Sequence, residues 1–298
     1  MVKADFNGDS KQDLAIANYG AGTFSVVYGD GLGFFGLQKN FAVGANPWAL
    51  AIADLNLDGA LDIVTASRTP TDTVSVSFNN TLGNFFPASQ YPAGPDPRSV
   101  ALSDMNGDGF PDIVVANNAL FDGGVSILLS TGVAHTFGAP TKFTLGNQPF
   151  HVALADVTSD GKVDVIATNT NSYAVTIGIG NGAGALGTSL TSPAATGVRI
   201  LTLNDINKDG ALDAITANTA QYSTSVALGI GPYSFGAPTT FGSNGPPQNA
   251  VVADVNNDMN LDLVLAVSSP AKVVVMFGDG NGGFGFPFSY PLPRSRAR

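Results

Sequence analysis

One nine-residue pattern, Asp-x-Asn-x-Asp-Gly-x-x-Asp, occurs six times with small variations and constrains this chain more than any other feature. Successive copies begin 49, 50, 52, 49 and 49 residues apart. The chain has no Glu, and 18 of its 23 acidic residues occupy the first, fifth and ninth positions of the pattern. Self-similarity at a fixed period of about fifty residues indicates a repeat architecture. The copies begin at Asp5, Asp54, Asp104, Asp156, Asp205 and Asp254.

Between the copies, each repeat contains four short runs of strand-forming residues separated by turn residues. In the third repeat these runs cover residues 99–102, 113–116, 124–129 and 137–143. The 36 Gly and 18 Pro suit many tight turns, and such a composition favours short strands over helices. Four-stranded units at this spacing are typical of propeller blades, whereas a calcium-binding β-helix has a much shorter period. The sequence therefore predicts an all-β fold, a β-propeller of six four-stranded antiparallel blades, with seven blades as the alternative if the chain is a fragment.

The repeats predict a single propeller domain over residues 1–298. Residues 291–298 follow the last repeat, and residues 293–295 (Pro-Arg-Ser) have the same sequence as residues 97–99 at the start of the third repeat. We expect this segment to complete the first blade and close the ring, or to dock onto a neighbouring molecule; a solvated tail is the third interpretation. The approximate repeats are 1–46, 47–96, 97–148, 149–197, 198–247 and 248–290.

Two short motifs carry a resemblance to a known family. Residues 137–140 and 235–238 are both Phe-Gly-Ala-Pro, and residues 104–112 are Asp-Met-Asn-Gly-Asp-Gly-Phe-Pro-Asp. These motifs resemble the FG-GAP repeat family, which includes bacterial VCBS-type relatives and the integrin α-subunit head, and the resemblance covers nearly the whole chain. It implies a β-propeller with calcium in hairpin loops and a role in adhesion or ligand binding, without naming a ligand.

The pattern also predicts metal sites from its own chemistry. It places side-chain oxygens at positions 1, 3, 5 and 9 and a backbone carbonyl at position 7, and Ca²⁺ takes about six to eight oxygen ligands. Three carboxylates in one turn repel one another unless a cation lies among them. We expect up to six Ca²⁺, one per repeat, held by Asp5, Asn7, Asp9, Lys11, Asp13, Asp54, Asn56, Asp58, Ala60, Asp62, Asp104, Asn106, Asp108, Phe110, Asp112, Asp156, Thr158, Asp160, Lys162, Asp164, Asp205, Asn207, Asp209, Ala211, Asp213, Asp254, Asn256, Asp258, Asn260 and Asp262.

Three of the loops depart from the pattern. Ser10 and Met259 replace the Gly at position 6 of the first and sixth loops, and Thr158 replaces the Asn at position 3 of the fourth. We expect calcium to bind more weakly at these three loops, or not at all. The alternative for every loop is a metal-free hairpin closed by Asx turns.

If the Asp loops join the first and second strands, they lie on one face of the predicted propeller. The other ends of the strands then form its opposite face, where aromatic and Arg residues recur. Such residues over a rigid scaffold suit recognition of glycans or protein loops. Alternatively, these aromatic and Arg side chains pack between blades, and this is the interpretation that we favour for Phe121. The ligand-binding candidates are Tyr19, Trp48, Arg68, Arg98, His151, Tyr173, Arg199 and Tyr222.

Composition and motifs then limit the function. The net charge of −10 argues against nucleic acid, which needs a basic surface. No apolar run is long enough to span a membrane. The sequence contains no Gly-x-Ser-x-Gly elbow and no carboxylate pair outside the loops, so neither of these signals indicates an active site. A sequon, Asn79-Asn80-Thr81, indicates surface exposure.

We therefore expect a secreted or cell-surface, non-enzymatic binding module, because extracellular calcium is plentiful enough to fill weak sites. Its partner would be a glycan or an extracellular protein, with self-association through the chain ends. One alternative is a structural subunit of an extracellular fibre or surface assembly. The other is a polysaccharide lyase or glycosidase on the same scaffold.

Overall fold

Each sequence repeat folds into one antiparallel sheet in the computed structural model, which describes residues 1–132, 135–231 and 234–292. The described residues form six sheets of four strands, and in every sheet the strands lie side by side in chain order. This arrangement confirms the prediction of an all-β propeller with six four-stranded antiparallel blades. We number the blades 1 to 6 along the chain.

Blades 1 to 3 lie in one compact unit, Met1–Leu154 with Gly180–Gly187. Their strands are β1 (Val2–Ala4), β2 (Asp13–Asn18), β3 (Thr23–Val27), β4 (Lys39–Ala42), β5 (Pro47–Ala53), β6 (Asp62–Ser67), β7 (Thr73–Ser77), β8 (Ser89–Pro92), β9 (Pro97–Ser103), β10 (Asp112–Asn117), β11 (Gly124–Leu128) and β12 (Thr141–Phe143).

Blades 5 and 6 lie in a second unit, Ala155–Ile179 with Thr188–Arg298, and the strands of blade 4 have residues in both units. In the described part of the chain no helix is both long and apolar enough to cross a bilayer. The strands are β13 (Pro149–Ala155), β14 (Asp164–Asn169), β15 (Ala174–Gly180), β16 (Leu186–Pro193), β17 (Val198–Asn204), β18 (Asp213–Asn218), β19 (Ser223–Ala227), β20 (Thr239–Gly242), β21 (Pro247–Ala253), β22 (Asp262–Ser268), β23 (Ala271–Met276) and β24 (Phe288–Pro291).

The second strands explain why the apolar runs after the Asp loops are continuous. All six residues are buried in each of β6, β10, β14 and β18. A strand covered on both faces needs apolar or small residues at every position, rather than at alternate ones.

The fourth strands begin later than the sequence predicts. Phe137 and Phe235 make only isolated bridges, to Ser130 and Gly229, and the regular strands begin at Thr141 and Thr239. Both Phe residues are followed by Gly-Ala-Pro, and Pro has no N–H to donate to a ladder.

Neighbouring blades pack through two apolar faces. We call the face that contacts the next blade along the chain the forward face, and the opposite one the backward face. Blades 2 and 3 show the pairing, because one buried cluster joins forward-face residues of blade 2 to backward-face residues of blade 3. The forward face contributes Leu55, Val64, Ala66, Val74 and Val76, and the backward face contributes Ile113, Val115, Leu128 and Phe137.

The predicted closing segment is described only in part. Pro291 ends β24, and the N–H of Leu292 donates to the carbonyl of Ala271 at 3.1 Å. Residues 293–298 lie outside the described residues, so their role in ring closure or docking stays a prediction.

Candidate functional site

The Asp loops connect the first and second strands of all six sheets, as the sequence predicts. In the third loop the Asp104 carboxylate at position 1 accepts four backbone N–H groups, from Asn106, Gly107, Asp108 and Gly109, at 2.7–3.2 Å. The Asp108 carboxylate at position 5 accepts the N–H of the residue at position 7 at 2.9 Å. These bonds fold the loop around its first carboxylate, as an Asx turn does.

The Asp at position 9 has a different role, because it joins the loop to the sheet. Asp112 is fully buried. Its Oδ2 accepts the N–H of Met105 in the loop at 2.8 Å, and its Oδ1 accepts the N–H of Ser130 beyond the third strand at 2.7 Å. The same pair of bonds is made by Asp13, Asp62, Asp213 and Asp262.

Burial and like charge perturb these carboxyl groups. Burial raises the pKa of Asp62 to about 7; the N–H groups that it accepts lower it, and the charges of Asp58 and Asp54 raise it further. Burial likewise raises the pKa of Asp112 to about 6, against two accepted N–H groups. In the second and third loops the carboxylates at positions 1 and 5 therefore disfavour ionisation of the buried carboxyl at position 9.

The donor chemistry of the loops fits a hard divalent cation. Every candidate donor is an oxygen, and in the second, third, fifth and sixth loops the Asn amide at position 3 donates to the Asp carboxylate at position 5 at 2.8–2.9 Å, so these two side chains lie together. Among the described residues, however, no three Asp or His side chains are grouped as metal ligands are. The predicted ligand sets therefore stay predictions.

The loops that lack Gly at position 6 keep the same backbone path. Ser10 and Met259 have φ of 64° and 68°, in the left-handed region occupied by the Gly residues of the other loops. A residue with a Cβ pays about 1–2 kcal/mol for that conformation. Position 4 is also left-handed in every loop, even at Leu57 with φ of 59°, a requirement that the sequence pattern did not reveal.

The fourth loop differs because of Thr158. Its hydroxyl lies 3.3 Å from Asp156 Oδ1 and its N–H donates to Asp164 Oδ2 at 3.2 Å. The Asn-to-Asp amide bond of the second, third, fifth and sixth loops cannot form here, because a threonine side chain has no amide. Weaker calcium binding at the fourth loop stays a prediction.

On the opposite ends of the strands, four of the predicted ligand-binding residues meet in one cluster. Trp48 is 41% exposed. The guanidinium carbons of Arg68 and Arg98 lie 5.0 and 4.9 Å from its ring centroid, and Tyr19 contacts it edge-on with centroids 5.7 Å apart. Both Arg distances are within the range of cation–π attraction. We call these four residues the arginine–aromatic cluster.

Two residues that the sequence analysis did not select complete this cluster. Asp96 binds both guanidinium groups: Arg68 Nε lies 2.6 Å from its Oδ1 and Arg98 Nη2 2.9 Å from its Oδ2. Phe150 also contacts Arg98, with the guanidinium carbon 5.6 Å from its ring centroid. The sequence signal that could have identified Asp96 as a partner of Arg98 is its position two residues before Arg98, outside the Asp loops.

The other four ligand-binding candidates are described separately. His151 is the third residue of its strand, so Phe150 is the residue equivalent to Trp48 and Arg98. The Nδ1 atom of His151 is buried without a hydrogen-bond partner in the described residues, and burial lowers its pKa to about 4. Tyr173, Arg199 and Tyr222 lie on the second unit and are exposed.

The sequon does not mark an exposed side chain. Asn79 is only 1% exposed. Its Nδ2 donates to the carbonyl oxygens of Phe6 and Leu61, at 2.8 and 3.2 Å, and its Oδ1 accepts the N–H of Gly83 at 3.1 Å. The expectation of surface exposure is therefore wrong, because this amide links two blades.

Comparison with known families decides the classification. A model of the FG-GAP-like repeat matches residues 5–65, 54–115, 104–167, 156–216 and 205–265. The chain belongs to this family. No curated protein sequence matches this FG-GAP-like repeat protein.

Several solved structures share the fold of the FG-GAP-like repeat protein at low sequence identity. A putative 6-phosphogluconolactonase from Bacteroides uniformis is 15% identical with a TM-score of 0.72, over 95% of this chain and 83% of the other. One from Bacteroides fragilis is 15% identical with a TM-score of 0.71, over 96% and 83%. BBS1N, solved in complex with ARL6DN, is 12% identical with a TM-score of 0.64, over 98% and 82%.

These neighbours overturn the prediction that the protein is not an enzyme. Two of them are putative 6-phosphogluconolactonases, so the fold is compatible with catalysis. The sequence criteria were too narrow, because they searched only for serine-hydrolase elbows and for the carboxylates of glycosidases and lyases.

Proposed function

We propose that this FG-GAP-like repeat protein is an extracellular, calcium-binding β-propeller that binds a glycan or protein ligand. The observation that carries the calcium proposal is the loop geometry. Two hydrogen bonds recur in all six loops: the N–H at position 6 donates to the carboxylate at position 1, and the N–H at position 7 donates to the carboxylate at position 5, so that both carboxylates lie in one turn. Calcium supplies positive charge among these carboxylates. The protein's own residues fold the loop and hold it on the sheet through the position-9 carboxylate.

Calcium binding is tested by thermal unfolding after exhaustive chelation, followed by calcium titration. A ligand that binds only the folded state stabilises it by about 2.7 kcal/mol per site at a hundredfold excess over its Kd. We expect the Tm to rise with calcium and to rise much less with magnesium, which prefers a smaller octahedral site. A Tm that does not respond to calcium contradicts the proposal.

The arginine–aromatic cluster supports the ligand-binding part of the proposal. An exposed indole ring offers an apolar face to a sugar or an apolar side chain, and the guanidinium groups beside it suit carboxylates or hydroxyls. Asp96 holds both Arg side chains in place and Phe150 also contacts Arg98, so little side-chain entropy is lost when a ligand binds.

A glycan array and a binding screen against extracellular proteins test this part. We expect Trp48→Ala to lose binding that the native protein shows. Leu120→Ala, at a 56% exposed position in the β10–β11 loop, is the matched control and should bind normally. Equal binding by the native protein and Trp48→Ala would place the ligand site elsewhere.

Extracellular location follows from the same chemistry and is also a proposal. Weak calcium loops are filled only where free calcium is near millimolar. A Kd for calcium in the micromolar range or below would remove this argument, because such loops would fill at lower concentrations as well.

A further inference from the structure

A surface cavity of about 490 Å³ lies in blade 3, at the strand ends opposite its Asp loop. Its walls come from residues 119–123 in the β10–β11 loop, from Lys142 of β12, and from the connection that leads to β13. All of these residues belong to the first compact unit. Small-molecule sites commonly have volumes of about 300–1,000 Å³, so the cavity has the size of such a site.

Hydrogen bonds hold the two walls of the cavity together. The Asn118 N–H donates to the carbonyl of Asp96 at 2.9 Å. The Asn118 amide donates to the carbonyl of Gln148 at 2.8 Å, and the Gln148 amide donates to the carbonyl of Asn118 at 3.4 Å. Gly123 allows the loop to turn tightly, since a Cβ there would lie 2.4 Å from the carbonyl oxygen of Ala119. A preformed cavity of this kind loses little conformational entropy when a ligand binds.

An aromatic ring stands at the cavity without packing partners. Phe121 lines the cavity and is 96% exposed. The interpretation that Phe121 packs between blades is therefore wrong. An aromatic ring presents a flat apolar face, and one face of a pyranose sugar consists of C–H groups that can lie on such a ring. Exposed rings on loops over a rigid scaffold are typical of recognition sites.

The polar groups of the cavity have no net charge. Lys142 Nζ donates to the carbonyl of Asp122 at 2.7 Å and also contacts the Asp122 carboxylate. These are the two charged residues that line the cavity, so their charges cancel. The Asp122 carboxylate is 77% exposed and Asn147 is exposed, so both can bond to a ligand. A carboxylate accepts hydrogen bonds and an amide both donates and accepts them, which suits the hydroxyl groups of a sugar.

We propose that this cavity binds an uncharged sugar, with the pyranose ring on Phe121 and its hydroxyl groups bonded to Asp122 and Asn147. The inference rests on the ligand-binding part of the proposed function, and it adds a sugar site separate from the arginine–aromatic cluster. An anionic ligand would meet the Asp122 carboxylate, and like charges disfavour one another. A wholly apolar ligand would cover the polar walls without replacing their hydrogen bonds to water.

Saturation-transfer difference NMR tests the site with the methyl glycosides of glucose, galactose, mannose and N-acetylglucosamine. We expect at least one of these neutral sugars to bind. Methyl galacturonide, the charged counterpart of methyl galactoside, should bind no better than the neutral sugar. Phe121→Ala should weaken binding of the neutral sugar at least about tenfold. Phe121→Tyr should retain binding, because it keeps the ring.

Matched variants separate this site from other surfaces. Phe34→Ala removes a ring that is 73% exposed in blade 1, and Trp48→Ala alters the arginine–aromatic cluster; both should bind the sugar as the native protein does. Leu120 borders the cavity but offers a sugar neither a ring nor a polar group, so Leu120→Ala should also bind normally. Asn147→Ala should weaken binding. Circular dichroism melts check that each variant is folded.

Two outcomes overturn the inference: none of the four neutral sugars binds, or Phe121→Ala binds as well as the native protein. Loss of sugar binding in Trp48→Ala but not in Phe121→Ala would place the sugar in the arginine–aromatic cluster, which overturns this inference and leaves the proposed function standing. A protein ligand found in the binding screen, without binding of any sugar, has the same meaning. Absence of every ligand in the screen, the array and the NMR experiment contradicts both.

Discussion

Asp112→Ala tests whether the ninth-position carboxylate holds the loop on its sheet independently of metal. The carboxylate is fully buried and accepts the N–H groups of Met105 and Ser130 at 2.8 and 2.7 Å. Alanine leaves both donors buried without a partner. An unsatisfied buried polar group costs about 1–3 kcal/mol, so the two together cost about 2–6 kcal/mol.

This cost converts to a measurable change in Tm. The entropy of unfolding is about 2.1 cal/mol/K per residue, or about 0.6 kcal/mol/K for a chain of this length, so the Tm should fall by about 3–10 °C. The fall should appear in chelator as well as in calcium, since it arises from hydrogen bonds within the protein. Circular dichroism at a strand wavelength measures both conditions.

Asp108→Ala is the matched comparison in the same loop. Asp108 is exposed and is a proposed calcium ligand, and its bonds to the loop are made near solvent. We expect little change in chelator and a lower Tm in calcium. An Asp112→Ala protein that melts with the native one in chelator would refute the argument that the carboxylate satisfies two buried donors.

Three further predictions concern other side chains. Asp96→Ala should alter the fluorescence of Trp48, the one Trp of the chain, because both stacked guanidinium groups lose their partner; Asp122→Ala should leave the emission unchanged. Burial lowers the pKa of His151 from 6.5 to about 4. The free energy of unfolding should therefore fall by up to about 3 kcal/mol as the pH drops from 6.5 towards 4. His151→Gln should remove that loss, as measured by urea unfolding at pH 7 and pH 5. Asn79 should carry no glycan after expression in a glycosylating host, because its amide is buried; a glycopeptide in mass spectrometry would contradict this.

The packing between blades explains why some residues were misjudged from sequence. The Asn79 sequon is a local signal, yet the amide is buried because the carbonyl of Phe6, 73 positions earlier, lies on the neighbouring blade. His151 lies close to a Pro in the sequence, as Trp48 and Arg98 do, and only the strand bounds show that Phe150 holds the equivalent place.

The sequence by itself determined the repeat, the strand order within each blade and the position of the Asp loops. Each of these depends on residues close together in the chain, whose turn and strand preferences act locally. Only the tertiary structure decided that Asp96 joins Arg68, 28 residues away, to Arg98, and that the Asn79 amide donates to the carbonyl of Phe6 on the neighbouring blade. Such outcomes depend on which blade face lies against which, and the local sequence does not contain that information.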